Sequence, residues 1–311
     1  MRELSYPKNK INVLLLEKVD KVAFDLFKEE GYNVESLDGS LDEKDLIKKI
    51  KDVSILGIRS KTIISDKVIK SANKLLAIGA FCIGTNQIKF ESCNDSGIVI
   101  FNAPYSNTRS VVEIVIAQII NLMRKIVIKS NKMHSGVWRK DSLDSFEIRN
   151  KVIGIVGYGN IGSQLSVICE ALGMKVLYYD ILDKLSIGNA KKCKSLNELL
   201  KNSDIVSLHV DGKKSNTNLI SDKEFSIMKE KSILVNYSRG NVVDIDSLIK
   251  NIKNKKLMGA ALDVFPEEPS NNKEKFESKV KGIEEIILSP HIGGSTKEAQ
   301  KNIGSYVPCN N

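Results

Sequence analysis

From Ile11 onward, short apolar runs alternate with amphipathic stretches, and this rhythm restricts the fold more than any other property of the chain. An apolar run of strand length, then a helical pattern, then another apolar run is what parallel strands covered on both faces by helices require. The rhythm can be traced twice, so the expected class is α/β with two doubly wound parallel-sheet domains. In the first part strands are expected at 11–16, 32–37, 53–58, 75–80 and 98–102, which reads as a small flavodoxin-like unit. In the second part they are expected at 152–156, 176–179, 205–210, 232–236, 258–264 and 286–288. Between the two, residues 107–134 carry Val111, Val115, Ile119 and Leu122 at helical spacing and read as one long helix capped by Asn107 or Thr108. Residues 295–304 read as the start of a last helix capped by Ser295 or Thr296, and 305–311 carry no pattern. A length of 311 residues exceeds the roughly 250–300 at which a single core stops growing, which also argues for two domains.

The charge balance narrows the class of partner. Lys and Arg number 47 against 38 Asp and Glu, a net charge of +9 that suits either a nucleic acid or small anionic substrates. The lysines interleave with acids on helix faces, as at Glu43-Lys44-Asp45, and no aromatic residues alternate with the basic ones, so nucleic-acid binding is not expected. Cys82, Cys93, Cys169, Cys193 and Cys309 form no C-x-x-C pair, which suggests neither a metal site nor a disulfide framework and fits a reducing cytoplasm. The longest early apolar stretch, Val13 to Leu16, is far below the roughly 18 residues of a membrane span, so no membrane association is expected.

The second rhythm opens with Gly157-Tyr-Gly-Asn-Ile-Gly162 between a strand and a helix. Gly157 permits the tight turn, Gly159 lets backbone approach a pyrophosphate, and Gly162 lets the helix pack close to the strand. The amides of Asn160 and Ile161 then face the phosphates at a helix N-terminus. The next strand ends at Asp180, whose carboxylate suits the adenosine ribose hydroxyls and repels a 2′-phosphate, so NAD is favoured over NADP.

Three later segments end expected strands with reactive side chains: Arg239 in Asn236-Tyr-Ser-Arg-Gly240, Glu268 in Asp263-Val-Phe-Pro-Glu-Glu-Pro269, and His291 in Ser289-Pro-His-Ile-Gly-Gly294. At the carboxyl edge of an open α/β sheet they converge on the ligand crevice. Oxidising a 2-hydroxy acid needs a base, a cation for the carboxylate and a hydride acceptor. His291 titrates near working pH and takes the hydroxyl proton. Arg239 grips the carboxylate in a bidentate fork. Glu268 orients the imidazole and favours its protonated form. Taken singly, each also reads as a surface cation, a turn acid and a loop histidine. His209, in a β run, reads as structural.

In order and spacing these blocks resemble the D-2-hydroxyacid dehydrogenase family. Ile58-Arg-Ser-Lys-Thr62, Ala77-Ile-Gly-Ala-Phe-Cys-Ile-Gly-Thr-Asn-Gln87 and Phe101-Asn-Ala-Pro-Tyr-Ser-Asn-Thr-Arg-Ser-Val111 are similar to the branch of that family that oxidises 3-phosphoglycerate to 3-phosphohydroxypyruvate. The resemblance implies a discontinuous substrate-binding domain, 1–106 with 295–311, and an NAD-binding Rossmann domain, 107–294. It implies Arg239, Glu268 and His291 as catalytic residues. Around the NAD it implies Gly157, Gly159, Asn160, Ile161, Gly162, Asp180, Ser238, Asp263 and Gly294. Arg59, Ser60, Lys61 and Asn107 fall at substrate phosphate positions, no metal is implied, and Trp138 and Lys140 match a region that contacts a second subunit in a homodimer built through the NAD-binding domain.

Departures are visible too. Tyr237 stands where a small residue is usual beside the nicotinamide, and Asp211 where a proline commonly follows the His-Val pair. The chain is expected to stop one or two turns into the helix that starts near Ser295, without the regulatory ACT domain of serine-feedback forms and with a first domain weakened by exposed apolar surface. Three alternatives stay open: another anionic 2-hydroxy acid such as 2-hydroxyglutarate, an NAD-sensing interaction protein like the C-terminal binding co-repressors, and an inert truncated remnant.

Overall fold

The computed structural model describes residues 6–269 and 273–310. The chain divides into two compact units, residues 1–107 with 295–311 and residues 108–294.

The first unit is built on a five-stranded parallel sheet. Its elements are β1 (Asn12–Leu15), α1 (Lys21–Glu29), β2 (Asn33–Ser36), α2 (Glu43–Lys49), β3 (Ile55–Ile58), α3 (Asp66–Ser71), β4 (Ala77–Ala80), α4 (Phe90–Asp95) and β5 (Val99–Asn102). The strand order β2-β1-β3-β4-β5 is that of a flavodoxin-like sheet. Leu14, Leu56, Ile58 and Ile78 fill one face beneath α2 to α4, and Val13, Leu15, Ala23 and Phe27 the other. Asp20, Asp42 and Ser65 cap α1, α2 and α3 with side-chain oxygens.

The second unit opens with α5 (Thr108–Arg124) and α6 (Ile126–His134). Here the expected single helix is corrected: it breaks at Lys125, whose φ is 53°. The break carries no Gly or Pro in sequence. The break is tied to a later segment: Phe146 N donates to the Met123 carbonyl at 2.8 Å, and Asp144 accepts from Lys125 Nζ at 3.2 Å and from Lys231 Nζ at 3.3 Å. Then follow β6 (Val152–Val156), α7 (Asn160–Ala171), β7 (Lys175–Tyr179), β8 (Lys191–Lys192), α8 (Leu196–Asn202), β9 (Ile205–Leu208), α9 (Asp222–Ile227), β10 (Ser232–Asn236), α10 (Ile245–Lys253), β11 (Leu257–Leu262) and β12 (Ile286–Leu288). All seven strands run parallel in the order β12-β11-β10-β9-β6-β7-β8. The order reverses between β6 and β9, and such a switch point is where open α/β sheets bind ligands. The edge strand β8 was not anticipated, because two exposed lysines carry no apolar alternation.

The last helix corrects a further expectation. α11 (Lys297–Asn310) runs for 14 residues, with Pro308 inside it, rather than stopping after one or two turns. Ala299, Ile303 and Val307 recur every four residues and are buried, the last two in the cluster that holds Ala23 and Phe27 of α1. That stripe covers the first unit where exposed apolar surface was expected. Its extension past 304 was missed because polar residues and Pro308 dilute the pattern.

Candidate active site

β6 delivers the glycine loop. Gly157 has φ 91°, and a Cβ there would stand 2.4 Å from the carbonyl oxygen of His209, so only glycine fits. A Cβ on Gly159 would meet nothing within 4 Å, and one on Gly162 would strike the Gly157 carbonyl at 2.2 Å. The loop thus has one open side, at the N-terminus of α7, where the first-turn amides of Asn160 and Ile161 have no acceptor within the helix. These features fit a dinucleotide pyrophosphate.

Asp180 follows β7 as expected, and its carboxylate braces the loop: Oδ2 accepts from Tyr158 N at 2.7 Å and Oδ1 from Leu182 N at 2.8 Å. His209 lies behind the loop, half-buried, with Nε2 against Ser207 Oγ at 2.8 Å. Burial pushes its pKa down to about 4, so it stays neutral and structural. Asp211 is spent on its own turn, pairing with Lys213 Nζ at 2.8 Å and accepting from Asn216 Nδ2 at 2.8 Å.

The catalytic candidates converge past the ends of β10, β11 and β12. His291 Nδ1 and Glu268 Oε2 are 2.8 Å apart, and the other Glu268 oxygen accepts from Phe265 N at 3.0 Å. The turn that carries Glu268 is locked to the Arg239 loop, because a Cβ on Gly240 would lie 1.9 Å from the Phe265 carbonyl carbon. Arg239 Nη1 donates to the Ser238 carbonyl at 2.6 Å, and its charge is felt by both Glu268 and His291. The Glu268 hydrogen bond raises the imidazole above its ordinary 6.5, against burial and Arg239, which lower it. For Glu268, burial raises the carboxyl, but the hydrogen bond and charge of His291 outweigh it and the net shift is downward. The imidazole Nε2 is left for a substrate proton.

Two residues read as cofactor contacts, Ser238 and Asp263, are buried and brace this site. Ser238 N and Oγ both donate to Asn236 Oδ1, at 3.1 and 2.7 Å. Asp263 Oδ1 accepts from Ser289 Oγ and Ile292 N, and Oδ2 from Gly293 N at 2.7 Å. Gly294 follows directly. This bracing set was not legible in sequence, where Asp263 and Ser289 stand 26 residues apart.

In the first unit, Arg59, Ser60 and Lys61 form the loop after β3. Glu17, unremarked in sequence, is buried with φ 64° and accepts from Lys61 N at 2.9 Å and Thr62 N at 2.7 Å. Gln87 Nε2 donates to the Arg59 carbonyl at 2.6 Å. A cavity of about 520 Å³ is lined by Arg59, Asp20, Ser295 just before α11, and Lys297 and Lys301 in its first turns. Of the four expected phosphate ligands only Arg59 lines it. Asn107 Oδ1 is buried without a hydrogen-bond partner. Among the described residues, no group of His, Cys, Asp and Glu could hold a metal ion, and no helix is long and apolar enough to cross a membrane.

The chain is similar to known proteins in sequence and in fold. The family described as D-isomer specific 2-hydroxyacid dehydrogenase, NAD binding domain, matches residues 116–293. The D-3-phosphoglycerate dehydrogenase of Dictyostelium discoideum is 49% identical over 303 residues, covering 97% of this chain and 74% of that one. D-3-phosphoglycerate dehydrogenase 2 of Saccharomyces cerevisiae is 47% identical over 305 residues, covering 96% of this chain and 65% of that one. The chain therefore spans about two thirds to three quarters of the length of these relatives. Among solved structures, D-lactate dehydrogenase with NAD+ from Lactobacillus jensenii superposes with a TM-score of 0.79 at 28% identity, over 94% of this chain and 93% of that one.

Proposed function

Because this chain belongs to the D-isomer specific 2-hydroxyacid dehydrogenase family, we propose that it interconverts 3-phosphoglycerate and 3-phosphohydroxypyruvate, the step that opens serine biosynthesis. One observation carries the reading: the His291–Glu268 pair at 2.8 Å, beside Arg239 and at the carboxyl edge of the sheet that bears the glycine loop. The Gly157–Gly162 loop, the first-turn amides of Asn160 and Ile161, and Asp180 would hold NAD, which would supply the acceptor for the hydride on C2 of the substrate. His291 Nε2 takes the C2 hydroxyl proton as a base. Glu268 holds Nδ1–H and stabilises the imidazolium that results. Arg239 binds the substrate carboxylate through its fork. In the reverse direction the imidazolium returns the proton to the carbonyl oxygen.

Arg59, Ser60, Lys61 and Asn107 remain the positions proposed for the substrate phosphate, and Arg59 lines a cavity together with Lys297, Lys301 and the acidic Asp20. The name shared by the two relatives supports that substrate. A homodimer through the NAD-binding domain is supported by exposed apolar surface on α6 and the loop after it: Ile126, Met133, Val137, Leu143 and Trp138, the last 77% exposed. A cytosolic setting is supported by the five cysteines, which form no disulfide among the described residues.

The test follows NADH absorbance with 3-phosphohydroxypyruvate for the wild type, His291→Ala and Arg59→Ala. Turnover that is lost in His291→Ala and weakened in KM in Arg59→Ala is expected. Wild-type turnover in His291→Ala would remove the base. An unchanged KM in Arg59→Ala, with turnover of a dicarboxylate such as 2-hydroxyglutarate, would move the substrate assignment to that acid.

A further inference from the structure

The side chain after β10 is placed to govern the loop that carries the base. Tyr237 is buried, 6% exposed, and its hydroxyl lies 2.9 Å from Ser289 Oγ. Ser289 Oγ has one hydrogen, and the Asp263 carboxylate, an acceptor only, takes it. The direction is therefore settled: Tyr237 donates to Ser289, and Ser289 donates to Asp263. Asp263 in turn accepts from Ile292 N at 2.9 Å and Gly293 N at 2.7 Å. The Tyr237 ring also covers the far side of the same loop, since a Cβ on Gly293 would stand 3.0 Å from Tyr237 Cδ1. Burial raises the phenol above its usual pKa, so the hydroxyl keeps its proton and remains a donor.

Between these two attachments sits His291, with φ 52°. A β-carbon in the left-handed region is crowded by the following carbonyl, so His291 stays there only while its neighbours on both sides are held. We propose that Tyr237 is a positioning residue for proton transfer, clamping the His291 loop through Ser289 on one side and Gly293 on the other. The inference rests on His291 being the base. A small residue at 237 leaves Ser289 Oγ without its donor and Gly293 uncovered. From Tyr237 through Ser289 to Asp263 the relay is buried, where serial hydrogen bonds reinforce one another and a lost donor is not replaced by water. The reach of His291 Nε2 toward a substrate hydroxyl depends on the loop, and small misplacements of a reacting group reduce the chemical step far more than they reduce binding.

The experiment compares wild type, Tyr237→Phe, Ser289→Ala and the double variant in the 3-phosphoglycerate reaction, with NADH Kd by fluorescence and Tm recorded alongside. Tyr237→Phe keeps the ring and removes the donor. Its kcat is expected to fall about 5–10-fold with KM and NADH Kd held near wild type, and Tm to fall by no more than the few degrees that one lost buried hydrogen bond costs. Ser289→Ala should show a loss of similar size, and the double variant should be no worse than the poorer single one, because both break one chain. A wild-type kcat in Tyr237→Phe overturns the proposal. So does a loss shared in proportion by kcat, NADH Kd and Tm, which is the pattern of a packing residue, and so do independent, multiplying losses. His291→Ala is run beside them: if it retains turnover, the base assignment has failed and not the clamp alone.

Discussion

The loop after β3 and the loops after β10, β11 and β12 each lean on a buried carboxylate that accepts from backbone amides, but only the second set adds bonds between side chains. In the first unit, Glu17 and Gln87 grip backbone atoms of Arg59, Lys61 and Thr62, while Ser60 and Lys61 themselves stay exposed. In the second, the buried Asp263 accepts from the Ser289 hydroxyl as well as from the Ile292 and Gly293 amides, and the exposed Glu268 and His291 pair side chain to side chain. A loop braced by its backbone can exchange side chains without losing its path, which suits recognition of different anions. A loop braced between side chains as well tolerates little exchange, which suits a base that must stay within hydrogen-bond reach of one atom.

That contrast can be broken most severely at Gly240. A methyl group there would meet the Phe265 backbone at 1.9 Å, and both strand-end loops must shift to admit it. Gly240→Ala is expected to destabilise the second unit by about 3 kcal/mol or more, visible as a lowered Tm together with lost turnover. Gly39→Ala in the first unit, where nothing lies within 4 Å, should leave Tm near wild type, and equal effects would erase the contrast.

Arg239→Lys comes next. It retains the charge and loses the fork, and kcat/KM should fall by roughly 30–150-fold, or about 2–3 kcal/mol, measured in steady-state assays. A loss under threefold would mean that Arg239 does not grip the carboxylate.

Glu17→Ala should act more gently and on one substrate class. Two amides, of which that of Thr62 is buried, lose their acceptor, at a cost of about 1–2 kcal/mol. The expected outcome is a rise of about tenfold in the KM for 3-phosphoglycerate with kcat preserved. An equal loss on a substrate without a phosphate would show that the loop serves the whole fold instead.

The pH profile sharpens the other side of the comparison. Oxidation needs the neutral imidazole, so its rate rises with pH through the pKa of His291, which the Glu268 hydrogen bond holds above 6.5. Reduction needs the imidazolium and falls over the same range. In Glu268→Gln the largest raising cause is gone, so both limbs should move to lower pH, whatever the change in absolute rate. Limbs that stay in place would assign the titration to another group.

Much of the molecule was legible in the chain because it rests on local rules. Strand and helix order follows from apolar periodicity, which marks which faces must be buried. The glycine loop was legible because Gly157 is demanded by a positive φ and Gly159 by the open space beside it, both properties of the residue itself. Arg239, Glu268 and His291 were legible because each ends a strand of one parallel sheet, and parallel strands of a doubly wound sheet deliver their ends to one edge.

Tertiary structure alone decided what needed partners distant in sequence. The break at Lys125 is tied to Phe146 and to Asp144, which also binds Lys231, so no residue near the break could signal it. The last helix runs on to Asn310 because Ile303 and Val307 find the first unit's core, which a short and diluted apolar pattern could not announce. The bracing roles of Glu17, Asp263 and Tyr237 carry no signal in the chain, since they lie in hydrogen bonds to groups between 26 and 52 residues away. Residue types and periodicity fixed where the chemistry could sit, and the packing of remote segments decided how firmly each group is held there, because hydrogen-bond geometry depends on distance in space and not along the chain.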